Sequence, residues 1–298
     1  MPAEPVGSIR GVCIDSRALK PGHLFVAIAG ERSDGHAFVE QALSAGAAGA
    51  VVRKDFAQIY RGSGALLAVE DPRRALSALA AGHRSTLKAE MTALTGSVGK
   101  TTVKEMLASC LAMKAPTART RGNWNNDLGL PLSLLAMERD DVYGVFEVGM
   151  NHPGELAPLC RLIQPKRGVI TTVGPVHIEF FKSVRDIADE KASVFRCLPS
   201  DGAAVASRDE EWFELFRKAA PCRMISVSLE GAADYEGRVL SEAEGRFSAR
   251  ESGSGERMDF RVPLPGRHVI QNALLAVAAA RGHGVSWEQI AAALGRYQ

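Results

Sequence analysis

A lysine and a threonine end the glycine-rich stretch TGSVGKTT, residues 95–102, where they could hold the phosphates of a nucleotide. A glycine-rich turn between a strand and a helix points backbone N–H groups at one spot, and the helix N-terminus adds partial positive charge. Lys100 would reach the outer phosphates, and the Thr101 hydroxyl would ligate Mg²⁺. The usual GxxxxGK[ST] spelling has its first glycine where this chain has Leu94. The residues of this stretch predicted to contact the nucleotide are Gly96, Ser97, Val98, Gly99, Lys100, Thr101 and Thr102.

An acidic residue and a histidine at the ends of two further apolar runs are candidate metal ligands. Glu147 lies inside the run YGVFEVG, where an ionised carboxylate is costly unless it is paired, so a metal ion is a natural partner. His177 follows the run RGVITTVG, at the point where ligands of open α/β sheets collect. The alternatives are a solvent-facing glutamate on an edge strand and a solvated or capping histidine.

Clustered amides and a helical lysine complete the set of candidate residues. Asn123, Asn125 and Asn126 can form turn caps, or they can donate to phosphates and peptide carbonyls. Lys191 lies in an amphipathic helix, SVRDIADEKASVFRCL, and would ordinarily be a surface charge. Asn272 could be an uncommon polar residue early in an apolar helix.

Alternating strands and helices must position these residues. The short apolar or β-rich runs MTALTG, YGVFEVG, RGVITTVG, GAAVAS and RMISVSL are separated by helical patterns, which predicts an α/β fold with a mostly parallel sheet flanked by helices. Residues 236–263 alternate about a Ser/Gly turn and predict an antiparallel hairpin at a sheet edge. We divide the chain into a small α/β domain at residues 1–84 and a larger one at residues 85–298.

Composition restricts the partners of the chain. Its 298 residues carry a formal charge of +2, which gives no electrostatic reason to expect binding to nucleic acid or to an anionic membrane. No apolar run is long enough to cross a bilayer, and no signal peptide is recognisable. Five cysteines without metal-ligand spacing indicate buried thiols in a reducing compartment, so we expect a cytoplasmic protein.

Several segments together resemble the Mur ligase family of ATP-dependent ligases. TGSVGKTT is similar to the family's TGxxGKTT loop, and TRGNWNNDLGLPLSLL is similar to its TxGNxNNxxGxPxxL segment. FEVGMNHPGEL, TTVGPVHIEFFKS, the helix with Lys191 and LPGRHVIQNALLAVAAA match further family segments. Residues 14–47, which begin IDSRALKPG, resemble the N-terminal domain of the two later ligases of the pathway.

The resemblance implies roles for individual residues. Glu147 would bind Mg²⁺ together with Thr101, His177 would bind a second Mg²⁺, and Lys191 would become carbamylated, although Ser193 stands where the family has glutamate. Lys100, Lys191 and His177 are thus the predicted catalytic residues. Asn272 would contact the adenine of ATP. The residues implied to bind the UDP-linked substrate are Ser16, Arg17, Asn123, Asn125 and Asn126.

The branch of the family that is most similar joins D-alanyl-D-alanine to UDP-N-acetylmuramoyl-tripeptide through an acyl phosphate. The resemblance implies a UDP-precursor-binding domain followed by a central P-loop domain, and we expect a monomer. The family's third domain would begin about where this sequence ends, so we expect a two-domain fragment that ligates poorly alone.

Three alternatives stay open at this point. A meso-diaminopimelate-adding Mur ligase and a folylpolyglutamate synthase share the loop and the metal residues. The former is disfavoured by the GNWNNDLGLPL and EVGMNHPGEL spellings, and the latter by the UDP-type N-terminal domain. The third alternative is a P-loop module that binds a nucleotide but catalyses no reaction. Such a module would not need two metal sites.

Overall fold

A computed structural model describes residues 9–30 and 33–297, which form two compact units. The first unit contains Met1–Thr86 and Asp127–Met137, and the second contains Leu87–Asn126 and Glu138–Gln298. The segment Asp127–Met137 thus joins the first unit, which our division at residue 85 did not include. The N-terminal residues used to exclude a signal peptide, and residues 31 and 32 of the N-terminal motif, lie outside the described part of the chain.

The first unit is a four-stranded parallel sheet with short helices. Its strand order is β1-β2-β3-β4. Helix α3 begins at Pro72 because the Asp71 carboxylate accepts the N–H groups of Arg73 and Arg74 at 2.8 and 3.3 Å. The elements are β1 Gly11–Cys13, β2 His23–Val26, α1 Val39–Ser44, β3 Gly49–Arg53, α2 Lys54–Ile59, β4 Leu66–Val69, α3 Pro72–Thr86 and α5 Gly129–Leu135.

The second unit contains a nine-stranded sheet of order β13-β12-β11-β10-β9-β8-β5-β7-β6. Strand β12 pairs antiparallel with its two neighbours, β11 and β13, and every other pair of neighbouring strands in this sheet is parallel. The strands are β5 Glu90–Thr95, β6 Thr117–Arg119, β7 Tyr143–Glu147, β8 Arg167–Ile170, β9 Ala203–Ser207, β10 Arg223–Ser228, β11 Tyr235–Ser241, β12 Arg246–Glu251 and β13 Arg257–Arg261. The helices are α4 Lys100–Ala112, α6 Leu156–Ile163, α7 Val184–Arg196, α8 Phe213–Ala219, α9 Arg267–Gly282 and α10 Trp287–Leu294.

Strand β5 lies inside this sheet, third from its β6 edge, and is buried on both faces. Met91, Ala93 and Leu94 are fully buried, as expected for a parallel strand covered by helices on each side. Leu94 pairs with Glu147 on one neighbouring strand and with Val169 on the other. The unusual leucine of the phosphate loop is therefore a core residue of the strand, and the turn begins only at Gly96.

These observations confirm the predicted α/β class. The predicted hairpin is present as β12 and β13 at the sheet edge. Helix α10 begins with a capping box of Ser286 and Gln289. Among the described residues, no helix has the length and apolar character needed to span a membrane.

Candidate active site

The turn between β5 and α4 needs glycine at both of its ends. A Cβ atom at Gly96 would lie 1.8 Å from the hydroxyl oxygen of Thr171, and one at Gly99 would lie 2.5 Å from Oδ1 of Asn272. Gly99 also has φ 86°, a left-handed conformation that L side chains disfavour. The backbone of this turn therefore approaches its neighbours more closely than any other residue would allow.

Hydrogen bonds from the segment after β8 fix the middle of the turn. Ser97 N–H donates to the carbonyl of Thr172 at 2.7 Å, and the Ser97 hydroxyl donates to the carbonyl of Gly174 at 3.1 Å. The Thr171 hydroxyl donates to the carbonyl of Val98 at 2.6 Å. The loop thus has a set shape, and the side chain of Val98 is exposed.

Lys100 folds back over the turn that precedes it. Its Nζ donates to the carbonyl of Gly96 at 2.9 Å and to that of Ser97 at 3.3 Å. Burial lowers the pKa of Lys100, and the charge of Glu147 opposes this shift. The ammonium group therefore lies beside the spot where the first N–H groups of α4 would receive a phosphate.

Glu147 is a buried carboxylate with two side-chain partners. It is 1% exposed, its Oε2 accepts the Thr101 hydroxyl at 2.9 Å, and its Oε1 accepts the Asn125 amide at 2.8 Å. The Thr120 hydroxyl accepts its backbone N–H at 3.0 Å. Strand β7, the loop after β6 and helix α4 thus converge on one acid.

The spacing of Thr101 and Glu147 suits a magnesium ion. Adjacent ligands of an octahedral Mg²⁺ at about 2.1 Å lie about 2.9 Å apart, which matches the separation of these two oxygens. Within residues 9–30 and 33–297, no three His, Cys, Asp or Glu side chains form a group that could hold a metal. Phosphate and water oxygens would have to complete the coordination, as is usual for Mg²⁺ at nucleotide sites.

The asparagine loop lies against Gly149, just beyond the end of β7. Gly149 N–H donates to the Asn125 carbonyl at 2.9 Å, and Asn125 N–H donates to the Asn123 carbonyl at 2.7 Å. A Cβ atom at Gly149 would lie 2.8 Å from Cγ of Asn125. The backbone bonds of Asn125 support the turn interpretation, while its side-chain amide donates to Glu147, so a role of Asn125 in binding a ligand stays a prediction.

Lys191 is buried, contrary to the ordinary expectation for a lysine on an amphipathic helix. It is 4% exposed, and burial together with the positive charge of Lys100 lowers its pKa to about 7, against the effect of Glu190. The Ser193 hydroxyl, two residues further along the same helix, is buried and has no hydrogen-bond partner among the described residues. A substantial fraction of the Lys191 amine is thus neutral near pH 7.

One cavity of about 230 Å³ connects most of these side chains. It is lined by Gly96, Ser97, Lys100, Asn123, Asn125, Asn126, Gly149, Met150, Asn151, Glu155, Val176, His177 and Lys191. The backbone of His177 is left-handed, with φ 62°, which a histidine seldom adopts. Eight residues predicted from the sequence, from the loop to Lys191, therefore line a single pocket.

The other predicted residues lie elsewhere. Thr101 and Glu147 contact each other beside the pocket, and Asn272 lies against Gly99. Thr102 lies in the first turn of α4.

Ser16 and Arg17 belong to the first unit. They form part of a 3-10 turn, and the Arg17 guanidinium is paired with the carboxylate of Asp15 at 2.8 Å.

Sequence reasoning missed Glu155, a second carboxylate of the pocket. Its Oε2 accepts the Asn151 N–H at 2.7 Å, and its Oε1 lies 3.0 Å from Nδ1 of His152. The backbone bond to Asn151 and the contact with His152 lower the pKa of Glu155 against the effect of burial. The segment NHPGEL contained the signal, because a carboxylate four residues after an asparagine can close such a turn.

Family models match both parts of the chain. The Mur ligase middle domain matches residues 94–280, and the catalytic domain of the Mur ligase family matches residues 8–84. The chain belongs to the Mur ligase family. The middle-domain match includes the whole phosphate loop and extends beyond Lys191.

Individual Mur ligases are similar along almost the whole chain. UDP-N-acetylmuramoyl-tripeptide–D-alanyl-D-alanine ligase of Escherichia coli (strain K12) is 35% identical, over 96% of this chain and 63% of that protein. The crystal structure of MurF from Acinetobacter baumannii has a TM-score of 0.89 at 35% identity, covering 97% of this chain and 63% of that one. MurF ligase from Thermotoga maritima in complex with ADP has a TM-score of 0.82 at 26% identity, covering 95% and 66%.

Two weaker similarities concern the alternatives. A UDP-N-acetylmuramoyl-L-alanyl-D-glutamate–2,6-diaminopimelate ligase and L. casei FPGS each have a TM-score of 0.63, at 20% and 15% identity. Similarity at these identities shows a common fold and nothing about function. The chain spans about 63% of the length of the E. coli and A. baumannii ligases that it matches.

Proposed function

We propose that this chain acts as an ATP-dependent ligase that adds D-alanyl-D-alanine to UDP-N-acetylmuramoyl-tripeptide. The observation that carries the proposal is the buried Glu147 carboxylate, hydrogen-bonded to Thr101 of the phosphate loop and to Asn125 of the asparagine loop. This arrangement joins a nucleotide-type loop to a loop that the family uses for its UDP-linked substrate. The names of relatives at 35% identity supply the substrate class.

In this proposal the phosphate loop holds ATP. The backbone of Gly96–Gly99 and the N-terminus of α4 bind the phosphates, and Lys100 neutralises charge that develops on the transferred phosphoryl group. Mg²⁺, when bound by Thr101 and Glu147, supplies further positive charge at the same oxygens. His177 lines the pocket and is the proposed ligand of a second Mg²⁺. Asn272 contacts the adenine.

Lys191 is proposed to react with CO₂ before catalysis. A neutral amine attacks CO₂ to form a carbamate and releases one proton, so the lowered pKa of Lys191 favours this reaction near neutral pH. The product is an anion in the wall of the pocket, facing the positive charge of Lys100. It would orient the cations and phosphates there.

The chemistry needs an activated carboxylate, because forming a peptide bond from a free carboxylate is uphill in water. ATP would phosphorylate the terminal carboxylate of the tripeptide, and the amine of D-alanyl-D-alanine would displace the phosphate. Asn123, Asn125 and Asn126 would hold the precursor beside the phosphate loop, which lowers the entropic cost of the reaction.

The two parts of the chain receive different roles in this proposal. Residues 1–84 bind the UDP precursor through Ser16 and Arg17, and residues 85–298 bind ATP. Arg17 would have to exchange its exposed partner Asp15 for a phosphate or uridine oxygen. A monomer in the cytoplasm remains the prediction from the sequence.

Calorimetric titration of the chain with UDP-N-acetylmuramoyl-tripeptide tests the proposal. UDP-N-acetylglucosamine and a folate are the control ligands, and MgADP is titrated separately. Selective binding of the muramoyl peptide is expected. Binding of MgADP without any UDP ligand would contradict the substrate assignment and favour a nucleotide-binding module. Preference for the folate would favour the folylpolyglutamate synthase alternative.

A further inference from the structure

A buried lysine, Lys104, lies in the second turn of α4, four residues after Lys100. Its side chain is fully buried and therefore presents no atom to the cavity of the candidate active site. Its Nζ donates to the backbone carbonyl of Gly122 at 2.7 Å and lies 3.1 Å from Oε1 of Glu105. Oε2 of Glu105 lies 2.6 Å from Nε of Arg119 in β6. The helix that follows the phosphate loop is thus tied to the segment that leads into the asparagine loop.

The carbonyl that Lys104 holds lies directly before the loop asparagines. Gly122 has φ 50°, a left-handed conformation, and a Cβ atom there would meet no atom within 4 Å. Glycine is therefore favoured at this position by the backbone conformation and not by lack of space. Asn123 and Asn125 follow, and both line the cavity. A bond to the Gly122 carbonyl fixes the point at which the chain turns toward the cavity.

Other contacts hold the far side of the same loop. The Asn125 amide donates to Glu147 at 2.8 Å, and the Gly149 N–H donates to the Asn125 carbonyl at 2.9 Å. These bonds attach the end of the loop to β7 and to the residues just beyond it. Lys104 attaches its beginning, at Gly122, to α4. The loop is therefore held from two sides, and one of them is the helix of the phosphate loop.

A lysine is a costly choice for a fully buried position. Removing an ammonium group from water costs free energy that its partners only partly return, and an apolar side chain of similar size is often at least as stabilising. Met106 and Leu107 of the same helix are apolar and fully buried. An apolar side chain could not donate to the Gly122 carbonyl. The place of the loop therefore explains this lysine better than stability does.

We propose that Lys104 is a positioning residue, which holds the Gly122 carbonyl so that the asparagine loop meets the UDP-linked precursor in a preformed arrangement. Lys104 touches no ligand and acts through the loop. A preformed loop loses less conformational entropy on binding than a loop that must first be ordered, so its affinity for the precursor is higher. The effect on the precursor rests on the proposed function, whereas the restraint of the loop does not.

The variant Lys104→Met fills similar space but cannot donate to Gly122. By calorimetry we expect it to bind UDP-N-acetylmuramoyl-tripeptide about tenfold more weakly and MgADP within about twofold of the parent. Its urea midpoint should stay close to that of the parent, because Glu105 keeps Arg119 and water can reach the exposed Gly122. Equal losses for both ligands, or normal affinity for the precursor, would overturn the positioning role.

The matched control is Lys114→Met. Lys114 lies just beyond the other end of α4, and its Nζ also donates to a backbone carbonyl, that of His283, at 2.6 Å. Removing this bond should leave both affinities as in the parent. A loss of precursor affinity as large as that of Lys104→Met would show that the effect does not depend on the asparagine loop, and the proposal would fail.

Amide hydrogen exchange of the ligand-free chain tests the restraint without the precursor. In Lys104→Met the N–H groups of Trp124, Asn125 and Gly149, which are bonded in and beside the loop, should exchange at least about tenfold faster, while those of β5 and β8 should not change. Unchanged exchange in the loop, or faster exchange throughout the second unit, would overturn the proposal. If the parent does not bind the precursor, the proposed function fails, and the exchange rates alone decide whether Lys104 restrains the loop.

Discussion

The two ends of the sheet in the second unit both hold charged side chains, but they use them differently. At the end where β5 and β8 begin, Arg167 Nε donates to Oε1 of Glu90 at 2.5 Å, and Nδ1 of His283 lies 3.3 Å from the same oxygen. Nε2 of His283 lies 3.3 Å from the Thr92 hydroxyl, and Lys114 Nζ donates to the His283 carbonyl at 2.6 Å. These groups contact one another closely.

At the carboxyl end of the same strands, the charges surround a cavity. Lys100 donates to two backbone carbonyls in its own turn, and Lys191 is buried beside the positive charge of Lys100. Among the described residues neither lysine forms a salt bridge, although the charges of Glu147 and Glu190 act on them. Amines buried without a directly paired carboxylate favour a ligand that brings negative charge, so mutual pairing marks a structural cluster, whereas amines without a salt bridge around a cavity mark a binding site.

Removing Lys100 should give the largest effect at the carboxyl end. We expect Lys100→Ala to weaken MgADP binding by at least about 100-fold, which is ~2.7 kcal/mol, because a charge-assisted contact to phosphate is lost. Calorimetry measures the affinity. The free energy of unfolding should not fall, since Lys100 is desolvated in the free protein. A variant that binds normally would show that Lys100 does not face the phosphates.

Glu147→Gln tests the metal at the same end. The variant keeps the shape of the side chain and can still bond to Thr101 and Asn125, but it loses the negative charge. We expect MgADP binding to weaken roughly 30-fold, with little change for ADP measured in EDTA. Equal losses under both conditions would instead indicate a structural role for Glu147.

At the opposite end, Arg167→Met should affect stability and not binding. It removes the partner of Glu90 within a largely buried pair, for which we expect a loss of about 1–2 kcal/mol in the free energy of unfolding. Urea denaturation measures this loss. MgADP affinity should stay within about twofold of the parent. A larger change would contradict the assignment of a structural role to this end of the sheet and a binding role to the other.

Acid should lower the free energy of unfolding through His283, which lies at the end of the sheet where β5 and β8 begin. Burial and the charges of Arg167 and Lys114 lower the pKa of His283 to about 3. The unfolded chain therefore takes up a proton below about pH 6.5 while the folded chain does not, so stability falls as the pH decreases toward 3. We expect a loss on the order of 1 kcal/mol between pH 6.5 and pH 5.5.

The matched variant for the acid effect is His283→Asn. Urea denaturation at both pH values should show that this variant loses less stability on acidification than the parent. If the two proteins lose the same amount, His283 does not titrate as its surroundings indicate.

Sequence patterns predicted the strands, the phosphate loop and the hairpin, because these depend on local periodicity and turn chemistry. They did not predict that Asp127–Met137 packs with the first unit, or that Asn125 bonds to Glu147 across 22 residues of chain. Both features depend on which surfaces meet after the strands pair. The sequence also did not indicate that Lys191 is buried, because a lysine on an amphipathic helix ordinarily faces water.

The most direct test of the central claim is a calorimetric titration of ADP into this chain, with Mg²⁺ and again with EDTA, beside the Arg167→Met variant. The account predicts that both proteins bind MgADP with the same affinity and that both lose at least tenfold without Mg²⁺. Absence of binding, or equal binding with and without Mg²⁺, would contradict a magnesium–nucleotide site at the carboxyl end of the sheet.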